Sequence, residues 1–226
     1  MILDEGSAGG GRWRVVHERA PAGRLHADSA AALDARPVVR TVRFCHPTGP
    51  ALVLGSHQDE GQFSAAALAA AGVELARRRS GGSAVRVGSG RVLWVDFVLP
   101  RDDPLWDDDV GRAAWWVGDL WAAALGRGDV WRGPMQPGAW SPVVCFAGLG
   151  PGEVTEGGRK MVGVSQRRRG GGAVFQTAAL LDWRPDDYLS MLARPVADPA
   201  ELASAAVAAG RSEAELESAL VRRLMT

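Results

Sequence analysis

Short apolar runs rich in β-branched residues recur along this chain, and turns that contain glycine or proline separate them. Residues 38–44 and 51–54 are two such runs, and the Pro-Thr-Gly-Pro segment between them predicts a hairpin. Similar runs follow at residues 73–77, 84–87, 92–99, 143–146, 160–166 and 173–181. Runs of this length and composition predict strands, so a sheet should dominate the fold.

Helical patterns are fewer than strands, and they lie near both ends and in the middle. Apolar residues recur at helical spacing from 109 to 125, and the remaining predicted helices cover residues 25–33, 63–71, 200–209 and 213–225. The last of these has Ser212 as N-cap ahead of Glu215, the spacing of a capping box. This irregular order predicts an α+β fold with a mixed, mainly antiparallel sheet flanked by helices.

Composition narrows the class of protein. With 226 residues, of which 46% are hydrophobic, the chain can fill a core. Acidic and basic residues balance at 26 each, so no overall field draws the chain to nucleic acid or to an anionic membrane. Cys45 and Cys145 make no disulfide framework, and no long apolar run or basic leader is present, so a cytoplasmic protein is expected.

The histidines provide no recognisable site in the sequence. His17, His26, His46 and His57 are scattered and show neither triad nor ligand spacing, and no CxxC motif is present. We therefore expect no metal site and assign none of the four a catalytic role.

Two charged segments are candidates for chemistry. Lys160 is the one lysine among 26 basic residues, and a compact ammonium can do what an arginine cannot because burial can move its pKa. An arginine-biased genome that left one lysine by chance is the alternative. The other segment, residues 77–85, reads Arg-Arg-Arg-Ser-Gly-Gly-Ser-Ala-Val, and its guanidinium groups and glycines could hold a phosphate or a carboxylate. A solvated hairpin is the alternative for this run.

These segments resemble the motifs of a known family. Residues 77–85 are similar to the arginine and glycine loop of lipoate-protein ligases and octanoyl or lipoyl transferases, although Ser83 replaces the third glycine. Residues 158–166, with Val-Phe-Gln at 174–176, resemble the lysine motif of that family, and residues 51–58 resemble its early strand and turn. The three matches occur in the family's order.

The resemblance implies a fold like the catalytic domain of class II synthetases and biotin-protein ligases. It implies a flexible N-terminal lead at residues 1–15, a catalytic domain at 16–193, and a C-terminal helical extension at 194–226 packed on the same domain.

The implied function belongs to lipoate metabolism: attachment of a lipoyl or octanoyl group to the acceptor lysine of a lipoyl carrier domain, of the 2-oxoacid dehydrogenase or glycine cleavage type. In one branch of the family, ATP with Mg²⁺ forms an acyl-adenylate. In the other, a cysteine takes the acyl group from acyl carrier protein. Neither branch has a tightly bound cofactor.

The position of Cys145, fifteen residues before Lys160, and the short segment after residue 181 favour the thioester transferase slightly. A ligase with its accessory domain on a separate chain remains an alternative, as does a non-catalytic homologue that binds an acyl ligand or a lipoyl domain. By this resemblance Lys160 and Cys145 are the catalytic residues. The residues expected to bind the acyl donor or substrate are Arg78, Arg79, Ser80, Gly81, Gly82, Gly163, Ser165 and Gln166.

Overall fold

The computed structural model describes residues 12–226, and within this range strands and helices alternate irregularly along the chain. In chain order, the strands are β1 (Arg14–Ala20), β2 (Thr41–Pro47), β3 (Ala51–Leu54), β4 (Glu74–Arg77), β5 (Val85–Val87), β6 (Val92–Pro100), β7 (Asp129–Val130), β8 (Val154–Glu156), β9 (Arg159–Arg169) and β10 (Gly172–Leu180). The helices are α1 (Ala22–Ala31), α2 (Ala65–Ala70), α3 (Trp115–Leu125), α4 (Asp186–Leu189), α5 (Pro199–Ala205) and α6 (Glu213–Leu224).

The strands form one large and one small sheet. The large sheet has the order β1-β2-β6-β10-β9-β8-β7, in which β1 and β2 are parallel and every other neighbouring pair is antiparallel. In the small sheet, β3 lies between a parallel β4 and an antiparallel β5. The predicted α+β fold with a mixed, mainly antiparallel sheet is confirmed.

The central strands of the large sheet are covered on both faces. Strands β6 and β10 pair along their whole length, and nearly all of their side chains are buried. On one face, α3 and α6 contribute Val117, Trp121 and Leu216 to the core. On the other face, the small sheet packs through residues such as Leu52. Burial on both sides explains why these strands are continuous apolar runs rather than alternating ones.

The predicted hairpin between residues 38–44 and 51–54 is wrong. Its first strand lies between β1 and β6 in the large sheet, whereas β3 belongs to the small sheet. The segment between them does change the chain's direction, but it carries the chain from one sheet to the other. Local turn chemistry fixes a turn and not the partner of the strand that follows it.

Other regions also differ from expectation. Strands β7 and β8 and helix α4 were not predicted, and the helices predicted at 109–125 and 200–209 cover Trp115–Leu125 and Pro199–Ala205. The strand predicted at residues 143–146 is wrong, because residues Cys145–Ala147 form a 3-10 turn, and a single bridge joins Val144 to Ala84. Strand β1 was not predicted at all. It begins at Arg14, so residues 14 and 15 of the predicted flexible lead are part of a strand, while residues 1–11 of that lead lie outside the described range.

Helix α6 is the last element of the fold, and the capping box predicted at the start of this helix is confirmed. The Ser212 side chain accepts a hydrogen bond from the Glu215 backbone N–H, and the Glu215 carboxylate accepts one from the Ser212 backbone N–H at 2.8 Å. The apolar face of α6 packs against α3 and the large sheet. None of the helices between residues 12 and 226 is long and apolar enough to cross a membrane.

Candidate active site

Lys160 lies near the start of β9 with its ammonium group enclosed by oxygen atoms. Its Nζ lies 2.6 Å from Glu153 Oε1 and donates to the backbone oxygens of Cys145 at 2.7 Å and of Gly148 at 3.2 Å. The residue is 2% exposed. Gly163, three residues further along β9, leaves room for this side chain, since a Cβ there would lie 3.2 Å from Lys160 Cε.

The electrostatic surroundings keep Lys160 charged. Burial acts to lower its pKa, but negative charge at Cys145 and at Glu153 outweighs burial, and the pKa of Lys160 is raised. A fixed ammonium in a buried site can stabilise a thiolate or the oxyanion of an acyl-transfer transition state.

Glu153 was missed by the sequence reasoning. Its Oε2 accepts from Gly150 N at 2.7 Å and its Oε1 accepts from Val164 N at 3.1 Å, so it joins the loop before β8 to β9 as well as pairing with Lys160. The available signal was a carboxylate directly after a glycine- and proline-rich segment, shortly before the lysine motif.

The cysteine beside Lys160 has the geometry of a nucleophile held next to a cation. Cys145 Sγ lies 3.8 Å from Lys160 Nζ, and the thiol is partly exposed. The second cysteine, Cys45, is buried in β2, and burial raises its pKa well above the ordinary value. Cys45 is therefore an inert thiol, and it provides a natural internal comparison for Cys145.

The arginine and glycine loop is built around the buried side chain of Arg78. This side chain turns back under the loop and donates to Gly81 O from Nη2 at 2.8 Å and from Nε at 3.1 Å. Gly82 has φ +95°, and a Cβ on it would lie 2.6 Å from Arg78 Nη2 and 4.0 Å from Cys145 Sγ. The glycine thus lets the loop close over Arg78 and beside the thiol. Burial lowers the pKa of Arg78, and Cys145 opposes that effect.

Two cavities meet at this loop. The narrower one, of about 40 Å³, is largely apolar; its lining includes Val53, Val85, Trp94 and Phe146. The wider cleft has a volume of about 410 Å³ and contains Lys160 in its wall. The residues common to both linings are Arg78, Cys145, Val164 and Ser165.

The structure places the predicted site residues in four different surroundings. Those that line the wider cleft are Lys160, Cys145, Arg78, Gly81, Gly82, Ser165 and Gln166. Gly163 lines the narrow cavity instead. Ser80 is buried behind the walls, where its hydroxyl bonds to Ser165 Oγ at 3.0 Å. Arg79 is exposed and lines neither cavity, so the structure does not bring it to the others.

A buried polar network supports the narrow cavity and was not predicted. Gln176 accepts from Ser80 Oγ at 2.7 Å, and its Nε2 lies 2.9 Å from Nδ1 of His26, which is tilted against Trp94 with ring centroids 4.1 Å apart. Burial is the larger cause, and the charges of Arg78 and Arg43 are the smaller one; together they lower the pKa of His26 to about 3. His26 is thus a neutral acceptor at physiological pH, and Asp96 lies 3.5 Å from the same amide.

Ser83 and Thr177 each have a hydrogen-bond partner beside the cavities. Ser83 Oγ donates to the backbone oxygen of Ser141, and both residues line the wider cleft. Thr177 lines the narrow cavity, donates to Val95 O at 2.6 Å and accepts from Trp121 Nε1 at 3.0 Å. Thr177 therefore links the site to the surrounding core.

Comparison with known proteins agrees with this geometry. The family model described as the lipoyl protein ligase A/B catalytic domain matches residues 25–213, and no curated protein matches the chain in sequence. A structure of lipoate-protein ligase A bound with ATP superposes with a TM-score of 0.71 at 19% identity, over 95% of this chain and 83% of that one.

Two further structures show the same fold. The bi-partite lipoate protein ligase with its E2 lipoyl domain, from Thermoplasma acidophilum, gives a TM-score of 0.67 at 20% identity, over 94% of this chain and 81% of that one. P. falciparum LipL1 in complex with lipoate gives 0.67 at 10% identity, over 92% of this chain and 60% of that one. Since the family model spans most of the sequence, this chain belongs to the lipoyl protein ligase A/B catalytic domain family.

Proposed function

We propose that this protein transfers an octanoyl or lipoyl group to the acceptor lysine of a lipoyl carrier domain, by way of a thioester on Cys145. One observation carries the proposal: Cys145 Sγ stands where the narrow cavity and the wider cleft meet, 3.8 Å from the ammonium of Lys160. A thiol in that position can reach an acyl carbonyl while the acyl chain and the carrier lie on opposite sides of it.

The two cavities suit the two parts of the substrate. The apolar lining of the narrow cavity suits the hydrocarbon chain or the dithiolane ring, and at about 40 Å³ the cavity would have to widen to enclose either one. The wider cleft is large enough to admit the arm that carries the acyl group, whether the pantetheine of acyl carrier protein or the acceptor lysine of the carrier domain. The bi-partite lipoate protein ligase with its E2 lipoyl domain supports a partner of the second kind.

The reaction needs two acyl transfers. In the first, the Cys145 sulfur attacks the donor thioester carbonyl, a new S–C bond forms, the bond to the pantetheine sulfur breaks, and the thiol proton leaves on pantetheine. In the second, the neutral amine of the acceptor lysine attacks the Cys145 thioester. An amide forms, the S–C bond breaks, and the proton of the amine ends on the Cys145 sulfur.

Lys160 would assist both transfers without donating its proton. Its ammonium lies beside Cys145 Sγ and is held by Glu153 and two backbone oxygens, so it can stabilise the thiolate and the oxyanion with little reorganisation. Arg78, which interacts electrostatically with the same thiol, adds a second buried cation.

The ATP-dependent ligase is the second candidate, and the size and charge of the wider cleft favour it. Arg78 and Lys160 could face the phosphates of ATP there. Glu153 is the one carboxylate among the described residues that line this cleft, and both of its oxygens already accept hydrogen bonds. Mg²⁺ would therefore be held mainly by ATP and water.

The two candidates are separated by the need for ATP. The purified protein is incubated with octanoyl-acyl carrier protein in the absence of ATP, and its intact mass is recorded before and after hydroxylamine. We expect one hydroxylamine-sensitive octanoyl adduct on the parent chain and on a Cys45→Ala control, and none on Cys145→Ala.

The remaining outcomes are equally informative. An adduct on Cys145→Ala would place the acyl group elsewhere and reject the mechanism. No adduct on the parent, together with ATP-dependent transfer of lipoate to a lipoyl domain, would establish the ligase. No product under either condition, with tight binding of the acyl ligand or of the lipoyl domain, would identify a non-catalytic homologue.

A further inference from the structure

A cluster of histidines and glutamates lies on the edge of the large sheet, on elements other than those that build the active site. His17 projects from β1, His46 from β2, and Glu213 and Glu217 from successive turns of α6. The parallel register of the strands, which pairs His17 with Phe44 and Arg19 with His46, places the two imidazoles on the same face, towards α6.

The spacing of the ligand atoms matches a tetrahedral metal site. His46 Nε2 lies 3.5 Å from His17 Nδ1 and 3.6 Å from Glu217 Oε1, and His17 Nδ1 lies 4.0 Å from Glu217 Oε2. Ligand atoms bound tetrahedrally at zinc distances are separated by roughly 3.3–3.5 Å. The three groups therefore need to move by only a few tenths of an ångström to close on one ion.

Glu213 determines which ring nitrogen of His46 keeps an unprotonated lone pair. Its Oε1 lies 3.1 Å from His46 Nδ1, so that nitrogen carries the proton and Nε2 presents its lone pair to the cluster. A carboxylate that orients a metal-binding imidazole through its other nitrogen is the usual arrangement at zinc sites, where it also raises the basicity of the ligand.

Glu217 and His17 add to this preorganisation. Glu217 Oε1 is buried without a hydrogen-bond donor within the described part of the chain, and this is the oxygen nearest His46 Nε2. A buried carboxylate oxygen without a donor is costly unless a cation satisfies it. The His17 ring stacks on Phe44 with centroids 4.8 Å apart, which restrains its orientation.

We propose that His17, His46 and Glu217 bind a divalent zinc-class ion, with Glu213 orienting His46 and water completing a tetrahedral shell. A site made of two imidazoles and one carboxylate binds zinc in preference to the hard cations Mg²⁺ and Ca²⁺. The site joins the edge strand β1 and its neighbour β2 to α6, most of which lies beyond residue 213, where the family match ends. Its role would be to fix the C-terminal helix on the catalytic domain, independently of the acyl chemistry.

Calorimetric titration of zinc into the chelator-treated full-length protein tests the site. We expect one ion per chain and a rise in the thermal midpoint on binding. His17→Gln and Glu217→Gln should weaken binding more than tenfold, and Glu213→Gln about tenfold, as for other residues that orient a ligand. His17 is half exposed, so its variant should fold normally, which circular dichroism would verify.

Matched controls separate this site from other zinc ligands. His57→Gln and Glu201→Gln remove a histidine and a glutamate elsewhere and should leave the affinity unchanged. Co²⁺ in place of zinc should give visible bands of a tetrahedral nitrogen and oxygen site, without the intense near-ultraviolet band of a thiolate ligand. Absence of zinc binding, binding that survives both His17→Gln and Glu217→Gln, or binding lost in Cys145→Ala would overturn the proposal.

Discussion

At the scale of single residues, Lys160 shows why one lysine is retained in a chain otherwise rich in arginine. Its ammonium occupies a closed space between Glu153 and the backbone oxygens of Cys145 and Gly148. The planar guanidinium group of arginine is larger and distributes its donors differently, so it cannot place one charge at the same point. In the proposed mechanism, this geometry requires a lysine at position 160.

We therefore expect Lys160→Arg to slow acyl transfer severely although it preserves the charge. Loss of the positioned ammonium should lower the transfer rate by about 10²–10³, the usual effect of removing one group that stabilises the oxyanion. Single-turnover transfer monitored by mass spectrometry measures this rate. A rate within a few-fold of the parent's would show that Lys160 is not the electrostatic group of the reaction.

The ion pair with Glu153 predicts a stability effect that is separate from activity. Lys160→Met leaves a buried carboxylate without its cation and should cost about 3–5 kcal/mol in the free energy of unfolding. The double variant Lys160→Met/Glu153→Gln should recover a large part of that loss, because no charge is then left unpaired. Denaturant unfolding of the four chains of this cycle measures the coupling, and strictly additive losses would contradict it.

At the scale of elements, the sequence predicted secondary structure best where a local pattern determines the helix, strand or loop. The arginine and glycine loop, the lysine strand and the capped helix α6 all follow from short motifs, and they appear where expected. Strand β1 was missed because its residues are mostly polar or half-exposed, and its apolar alternation is weak. The hairpin was wrong because strand partners are chosen by burial across the whole sheet.

The same distinction between local motifs and distant partners applies to the residues of the site. Lys160 and Arg78 could be found because they belong to motifs, and Cys145 because of its spacing from Lys160. Glu153 and His26 gain their meaning from partners that lie far apart in the sequence or in another element. Pairing of β1 with β2 likewise brings His17 and His46 together, which their spacing of 29 residues does not reveal.

The capping box of α6 offers a test at this scale. Ser212→Ala should destabilise the protein by about 1 kcal/mol, since the N–H of Glu215 loses its acceptor, whereas Ser212→Gly should cost only a few tenths of a kcal/mol. Urea unfolding of the two variants beside the parent gives both values. Equal losses in the two variants would show that the cap does not hold the helix end.

At the scale of the whole molecule, the neutral His26 links folding stability to pH. Its pKa is about 3 in the folded protein and near 6.5 in the unfolded chain, so the unfolded state binds the extra proton between these values. This contribution to stability is present at neutral pH and is lost progressively as the pH falls below about 6.5.

Between pH 7 and pH 5, the parent should lose roughly 2 kcal/mol of unfolding free energy through this one group. His26→Gln removes the titration and should flatten the profile by that amount, while His57→Gln, a change at an exposed histidine, should leave the slope unaltered. Chemical denaturation at several pH values supplies the comparison. Parallel profiles for the parent and His26→Gln would contradict a buried neutral imidazole.

The proposed function is tested most directly by following the acyl group from one protein to the other. Protein carrying an octanoyl group on Cys145 is freed of donor and mixed with a lipoyl domain in the absence of ATP, and the intact masses of both proteins are recorded over time. We predict that the domain gains one octanoyl group on its acceptor lysine at the rate at which the enzyme loses its own. An adduct that stays on the enzyme, or a domain that is modified only when free acid and ATP are supplied, would contradict transfer through Cys145.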